Sequence, residues 1–132
     1  MTRAFVTVAA MLATAAPAAP RAAEISTHVL DLASGTGGAN IPALLERRGE
    51  DGAWTRIAAA TTDANGRVRS FVSSERTPAG TYRITFDMRG YRAGTPAFFP
   101  EIAVVFQAGE AAGHYHVPVA VSPFGYSTYR GN

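Results

Sequence analysis

The stretch GTYRITFDM, Gly80 to Met88, sets aromatic and β-branched residues (Tyr82, Ile84, Phe86) against polar ones (Thr81, Arg83, Thr85, Asp87) in strict alternation. Successive side chains of a strand point to opposite faces, so a period of two over this length predicts a half-buried β-strand. The reading extends outward in both directions. Downstream, EIAVVFQ (101–107) and HYHVPVAVS (114–122) are further strands, and Pro123 and Gly125 turn the chain into a last one, YSTYRG (126–131). Upstream, ISTHVLDLASGTGGAN (25–40) is a short alternating run that breaks into a Gly/Ser/Asn loop. Residues 41–71 give two more strands around Glu50-Asp51-Gly52, then an Asn65-Gly66 turn. Between Arg89 and Ala97 at most one short helical turn is expected, because Gly90, Gly94 and Pro96 interrupt it. Seven or eight short strands separated by turn signals predict an all-β fold, an antiparallel β-sandwich.

The chain has 132 residues, enough for one domain. Its first 23 residues, MTRAFVTVAAMLATAAPAAPRAA, carry a basic head at Arg3, an apolar run from Ala4 to about Ala16 and then a small-residue, proline-broken stretch. That is the pattern of a secretory signal peptide, with an A-x-A motif at Ala16 and Ala18. The expectation is an exported, periplasmic domain, residues 24–132, with residues 1–23 removed. All twelve basic residues are Arg, and Arg3 and Arg21 lie in the leader, so ten Arg face ten Asp and Glu in the domain. A near-neutral domain without a basic stripe is not built for phosphate backbones or anionic membranes. The absence of Cys excludes disulfides, thiolate ligands and a Cys nucleophile. A domain of this size then depends on its core alone, and association of subunits would help it.

Period-two geometry also sorts the three histidines. His28 shares a face with Ser26 and Leu30, and His114 and His116 share one with Pro118 and Ala120, opposite Tyr115, Val117, Val119 and Val121. The valine face is the better core face, so the histidines point outward. Their face is unusually apolar for open solvent, which marks an interface or a pocket. His116 has small neighbours that leave room for a ligand, whereas His114, nearer the strand start, is either solvated or a partner behind the site. Arg67 follows the Asn65-Gly66 turn, which would present its guanidinium at a strand entrance to clamp a carbonyl or anionic oxygen. His114, His116 and His28 would also suit a three-imidazole zinc site, but no carboxylate in the tail is placed to orient them. No Ser sits in a G-x-S-x-G elbow, and no carboxylate pair shares a candidate face. Imidazole as general base with Arg as electrostatic clamp remains, a set suited to adding water to a small polarised carbonyl.

Four stretches, STHVLD (26–31), TDANGR (62–67), FFPEIAVVF (98–106) and HYHVPVAVSPFGYSTYRGN (114–132), closely resemble the 5-hydroxyisourate hydrolases, transthyretin-like enzymes of purine breakdown. The resemblance runs from about Glu24 to Asn132. It implies a sandwich of two four-stranded sheets, a homotetramer with active sites where two dimers meet, and hydrolysis of a ring amide of 5-hydroxyisourate without cofactor or metal. It places His28, Arg67 and His116 as catalytic residues. It places Tyr129, Arg130, Gly131 and Asn132, with His28 and Arg67, against the substrate, Tyr129 foremost. The family normally closes on Ser where this sequence has Asn132, so an amide or a chain-end carboxylate would replace a hydroxyl there. The alternative is an exported carrier of a small ligand, as transthyretin is, although that carrier lacks the two catalytic histidines. Turnover separates the two readings.

Overall fold

A computed structural model describes residues 24–72, 77–109 and 113–132; the expected signal peptide, residues 1–23, lies outside the described residues. Nine strands follow one another: β1 (Glu24–Asp31), β2 (Thr36–Gly37), β3 (Pro42–Arg48), β4 (Trp54–Thr61), β5 (Arg67–Val68), β6 (Gly80–Asp87), β7 (Glu101–Ala108), β8 (His114–Ser122) and β9 (Gly125–Thr128). One sheet has the order β4-β3-β6-β7. The other runs β2-β1-β8-β9, with the two-residue β5 sharing the outer edge of β1 with β2.

The core lies between the sheets and comes from the alternating faces. Tyr82, Ile84 and Phe86 of β6 meet Ala43 and Leu45 of β3, Ile102 and Val104 of β7, Ile25 and Val29 of β1, and Val117, Val119 and Val121 of β8. Burying each larger side chain stabilises the fold by about 1.5–3 kcal/mol. The core face therefore fixes the register of every long strand, since a slip of one residue would expose it.

Two details depart from the expected architecture. The pair β1–β8 runs parallel over its whole length, from Glu24 opposite His114 to Asp31 opposite Val121. Parallel strands need a long crossover, and here the chain between them builds the entire β4-β3-β6-β7 sheet before returning. The β2-β1-β8-β9 sheet also gains the short β5 beside its four-strand path. Residues 89–97 form successive turns, and among the described residues there is no helix. The end of YSTYRG leaves the sheet after Thr128, rejoining it only through a bridge between His116 and Gly131.

Candidate active site

The parallel register of β1 on β8 assembles the site. It puts Ser26 opposite His116 and His28 opposite Pro118, while β5, on the other edge of β1, puts Arg67 opposite His28. Three segments far apart in sequence thus bring His28, Arg67 and His116 to the outer face of one sheet. The valines of β8 point inward and are buried, so both β8 histidines face out, as the alternation predicts.

The loop before β5 is built for Arg67. Asp63 Oδ1 accepts hydrogen bonds from the backbone N–H groups of Asn65 and Arg67, each 2.9 Å, and Gly66 N–H closes the turn on Asp63 O. Gly66 has φ 76°, and a Cβ there would run into Val29 O and Gly38 N. Only glycine fits this turn, which lies against β1 and delivers Arg67 beside His28.

The hydrogen bonds fix ring nitrogens. His28 Nε2 stands 3.0 Å from the Asn65 carbonyl oxygen. A carbonyl only accepts, so Nε2 carries the proton and, in the neutral ring, Nδ1 holds the lone pair. His116 Nδ1 lies 2.8 Å from Ser26 Oγ, which is also 2.7 Å from His114 Nε2. Ser26 is 4% exposed, so its hydroxyl is enclosed between the two imidazoles.

Both inner histidines are tuned to be neutral. Burial, then the Arg67 guanidinium, holds His28 below the ordinary imidazole value, against the upward pull of the Asn65 carbonyl and Asp63. Burial, then the charges of His114, Arg67 and His28, holds His116 low as well. A neutral imidazole beside a permanent cation is the arrangement that general base catalysis with oxyanion stabilisation requires.

Ser26, Thr27, Arg67, Val68, Arg69, His114, His116 and Asn132 line a cleft of about 350 Å³, within the range of small-molecule sites. Asn132 thus faces the cleft. Gly131 lies against the His116 ring and donates its N–H to His116 O at 2.8 Å. Tyr129 is 64% exposed and outside the cleft lining, and the Arg130 guanidinium stands 5.5 Å over the Tyr115 ring. Among the described residues no group of three or more His, Cys, Asp or Glu could hold a metal ion, so the three histidines do not converge as a zinc site would demand.

A second pocket lies among Phe98, Phe99, Phe124, Pro96 and Ile102. Its polar residues Tyr91 and Arg92 are both bound to Asp31, and it brings together no pair suited to proton transfer.

Ser26 joins the site without any motif in the sequence that marks it. Its face was legible, because it alternates with His28, but its partners depend on the register of a strand about 90 residues away.

A β-sandwich that brings two imidazoles and a guanidinium to the outer face of one sheet defines a protein of the transthyretin-like class. Residues 25–131 match the HIUase/Transthyretin family, and the chain belongs to it. A Caenorhabditis elegans relative named a probable 5-hydroxyisourate hydrolase is 40% identical, over 97% of this chain and 96% of its own. A Salmonella typhimurium 5-hydroxyisourate hydrolase is 37% identical over 89% and 90% of the respective chains. Among solved structures, Klebsiella pneumoniae 5-hydroxyisourate hydrolase superimposes with a TM-score of 0.71 at 36% identity, covering 83% of this chain and 99% of that one. Transthyretin from Sparus aurata does so with 0.75 at 34% identity, covering 81% and 95%.

Proposed function

We propose that this protein hydrolyses 5-hydroxyisourate, opening a cyclic amide of the oxidised purine to give 2-oxo-4-hydroxy-4-carboxy-5-ureidoimidazoline in urate breakdown. The observation that carries the proposal is that Arg67 and His116 line one cleft while His28, outside its lining, pairs opposite Arg67 on the same sheet face, in a chain whose relatives bear the hydrolase name. The overall fold does not separate an enzyme from a carrier, since hydrolase and transthyretin superimpose about equally well.

The chemistry follows from the ring nitrogens. Water attacks the ring carbonyl and gives a proton to the Nδ1 lone pair of His28, which the Asn65 carbonyl fixes in that tautomer. Electrons move onto the carbonyl oxygen, and the Arg67 guanidinium stabilises that charge. Collapse of the tetrahedral intermediate breaks the C–N bond, and the leaving nitrogen takes a proton from His116 Nε2. Asn132 supplies amide hydrogen bonds at the cleft wall. Gly131, packed on the His116 ring, closes the tail side of the cleft, and Tyr129 and Arg130 beside it, outside the cleft lining, are the tail residues proposed to reach the substrate. His114, expected from its position to be solvated or a partner behind the site, stands one hydroxyl away from His116.

The proposal includes a homotetramer without metal or cofactor, exported to the periplasm after removal of residues 1–23. Leu30, 36% exposed beside the site on the outer face, and Tyr129 support burial of that face between subunits. The basic head and apolar run of the leader support export.

The test follows the ultraviolet decay of 5-hydroxyisourate generated in situ from urate. The protein should accelerate it, with His28→Ala, Arg67→Ala and His116→Ala each falling towards the spontaneous rate. A protein that binds the compound and releases it unchanged is a carrier, and the hydrolase proposal then fails.

A further inference from the structure

A neutral imidazole that gives its Nε2 proton to a leaving group must receive one at Nδ1, or it would become an imidazolate. The structure shows where that proton comes from. His116 Nδ1 contacts Ser26 Oγ, and Ser26 Oγ contacts His114 Nε2, at 2.8 and 2.7 Å. A serine hydroxyl has one proton to donate and lone pairs to accept with, so a chain through it has a direction. If His114 Nε2–H donates to Ser26, then Ser26 O–H donates to His116 Nδ1, and His116 presents Nε2–H to the cleft. In the reverse chain His116 presents a lone pair. The His114 and His116 rings lie nearly parallel, 23° apart with centroids at 6.0 Å, so both edges reach the one hydroxyl.

We propose that Ser26 is a positioning residue that couples His114 to His116 and relays a proton between solvent and the His116 nitrogen facing the substrate. In the acid direction each proton moves one bond. His116 Nε2–H goes to the leaving nitrogen, Ser26 O–H goes to His116 Nδ1, and His114 Nε2–H goes to Ser26 Oγ. Exposed His114 then takes a proton from water at Nδ1. Afterwards His116 is again neutral, in the other tautomer, and the reverse sequence resets the chain. The burial of Ser26 keeps water from replacing the hydroxyl, and the exposure of His114 opens the chain to solvent. The other charged or titratable groups facing the pair are His28, Arg67, Arg69 and Glu24, which stands opposite His114 in the register.

This relay rests on the acid role of His116 in the proposed hydrolysis, but its first test needs no substrate. Nitrogen-15 NMR of the resting protein reads the His116 tautomer. Ser26→Ala should change the Nδ1 signal and the tautomer ratio of His116, whereas Ser26→Thr, which keeps a hydroxyl, should retain the wild-type pattern. An unchanged His116 signal in Ser26→Ala overturns the proposal, whether or not the wild-type protein turns over 5-hydroxyisourate. In the kinetic test, Ser26→Ala and His114→Phe should each lower kcat by about tenfold or more with little change in KM, approaching the ~10²–10⁴ range of acid–base catalysis. Ser26→Thr should recover most of that loss. Wild-type kcat in Ser26→Ala would also overturn the relay while leaving the hydrolase reading intact. If the threonine methyl prevents folding at so buried a position, the alanine spectrum and rate still decide.

Discussion

Gly131 lies flat against the imidazole of His116, donating its backbone N–H to the His116 carbonyl, and a Cβ at this glycine would overlap the ring at Cδ2. The tail and the His116 ring are therefore held as one unit, by a contact that only a missing side chain permits. Gly131→Ala must push the ring off Ser26 or lift the tail from β8. Displacements of this kind, about an ångström, can cost up to about 10²-fold in rate. The expected outcome is a lower kcat with little change in Tm, measured by the ultraviolet assay and by thermal unfolding. Wild-type turnover in this variant would mean that the ring has room that the packing denies.

Arg67 has two separable effects. Arg67→Ala should lower kcat by about 10²–10³-fold if its guanidinium is the oxyanion donor. Arg67→Lys should fall in between, because the ammonium keeps a charge but loses the planar fork. The same cation pushes both His28 and His116 down. Its removal should therefore shift the acidic limb of the kcat/KM profile to higher pH in Arg67→Ala but not in Arg67→Lys. A profile that stays in place in Arg67→Ala would contradict this coupling.

The depressed histidines set a pH window for activity and for stability. Because His28 and His116 titrate below the ordinary value of about 6.5, the wild-type kcat/KM should stay level through that pH and fall only below it. For stability, the unfolded chain binds protons near 6.5 while the folded site stays neutral. The contribution of these groups is thus fully present above the unfolded value and lost as pH falls through the folded ones. Thermal unfolding across this range should show Tm decreasing with acid, and the decrease should be smaller in His28→Ala and His116→Ala.

Much of this was readable from side-chain alternation alone. HYHVPVAVS is a strand because its valines repeat every second residue, and the same count sends His114 and His116 outward. The Asn65-Gly66 turn announced Arg67 because a positive φ at Gly66 leaves few residue choices. The partnership of Ser26 with both β8 histidines was not readable. It depends on β1 pairing parallel to β8, and a hairpin signal exists only for antiparallel neighbours close in sequence. The tail was legible as a motif but not as a geometry. Nothing local to Arg130 tells that its guanidinium lies over Tyr115 rather than in the cleft.

The far end of β1 supplies a control, where stability and catalysis should come apart. Asp31 is 4% exposed, and its carboxylate accepts hydrogen bonds from Tyr91 Oη at 2.9 Å, from Arg92 Nη2 at 2.8 and 2.9 Å, and from the backbone N–H of Ala33 at 2.8 Å. Burial pushes this carboxyl up, but the Tyr91 and Ala33 hydrogen bonds and the Arg92 charge together outweigh it and hold the group below its usual value. The 89–97 turns are thus pinned to the sheet by one anion. Asp31→Ala removes that anchor; exposed Ala33 can turn its freed N–H to water, so the loss comes mainly from the hydrogen bonds of Tyr91 and Arg92 to the carboxylate, about 1.5–3 kcal/mol for a bond to a charged group. Arg92 is partly exposed and can turn to water, which limits the loss. The wild-type contribution is present above the unfolded carboxylate value and is lost as pH falls through the lower folded one, so the Tm gap between Asp31→Ala and wild type should narrow in acid. Because Asp31 touches none of the cleft residues, kcat at a temperature where the variant is folded should match wild type. A rate deficit there, in a variant shown by circular dichroism to be folded, would mean that the turns and the cleft are coupled through β1.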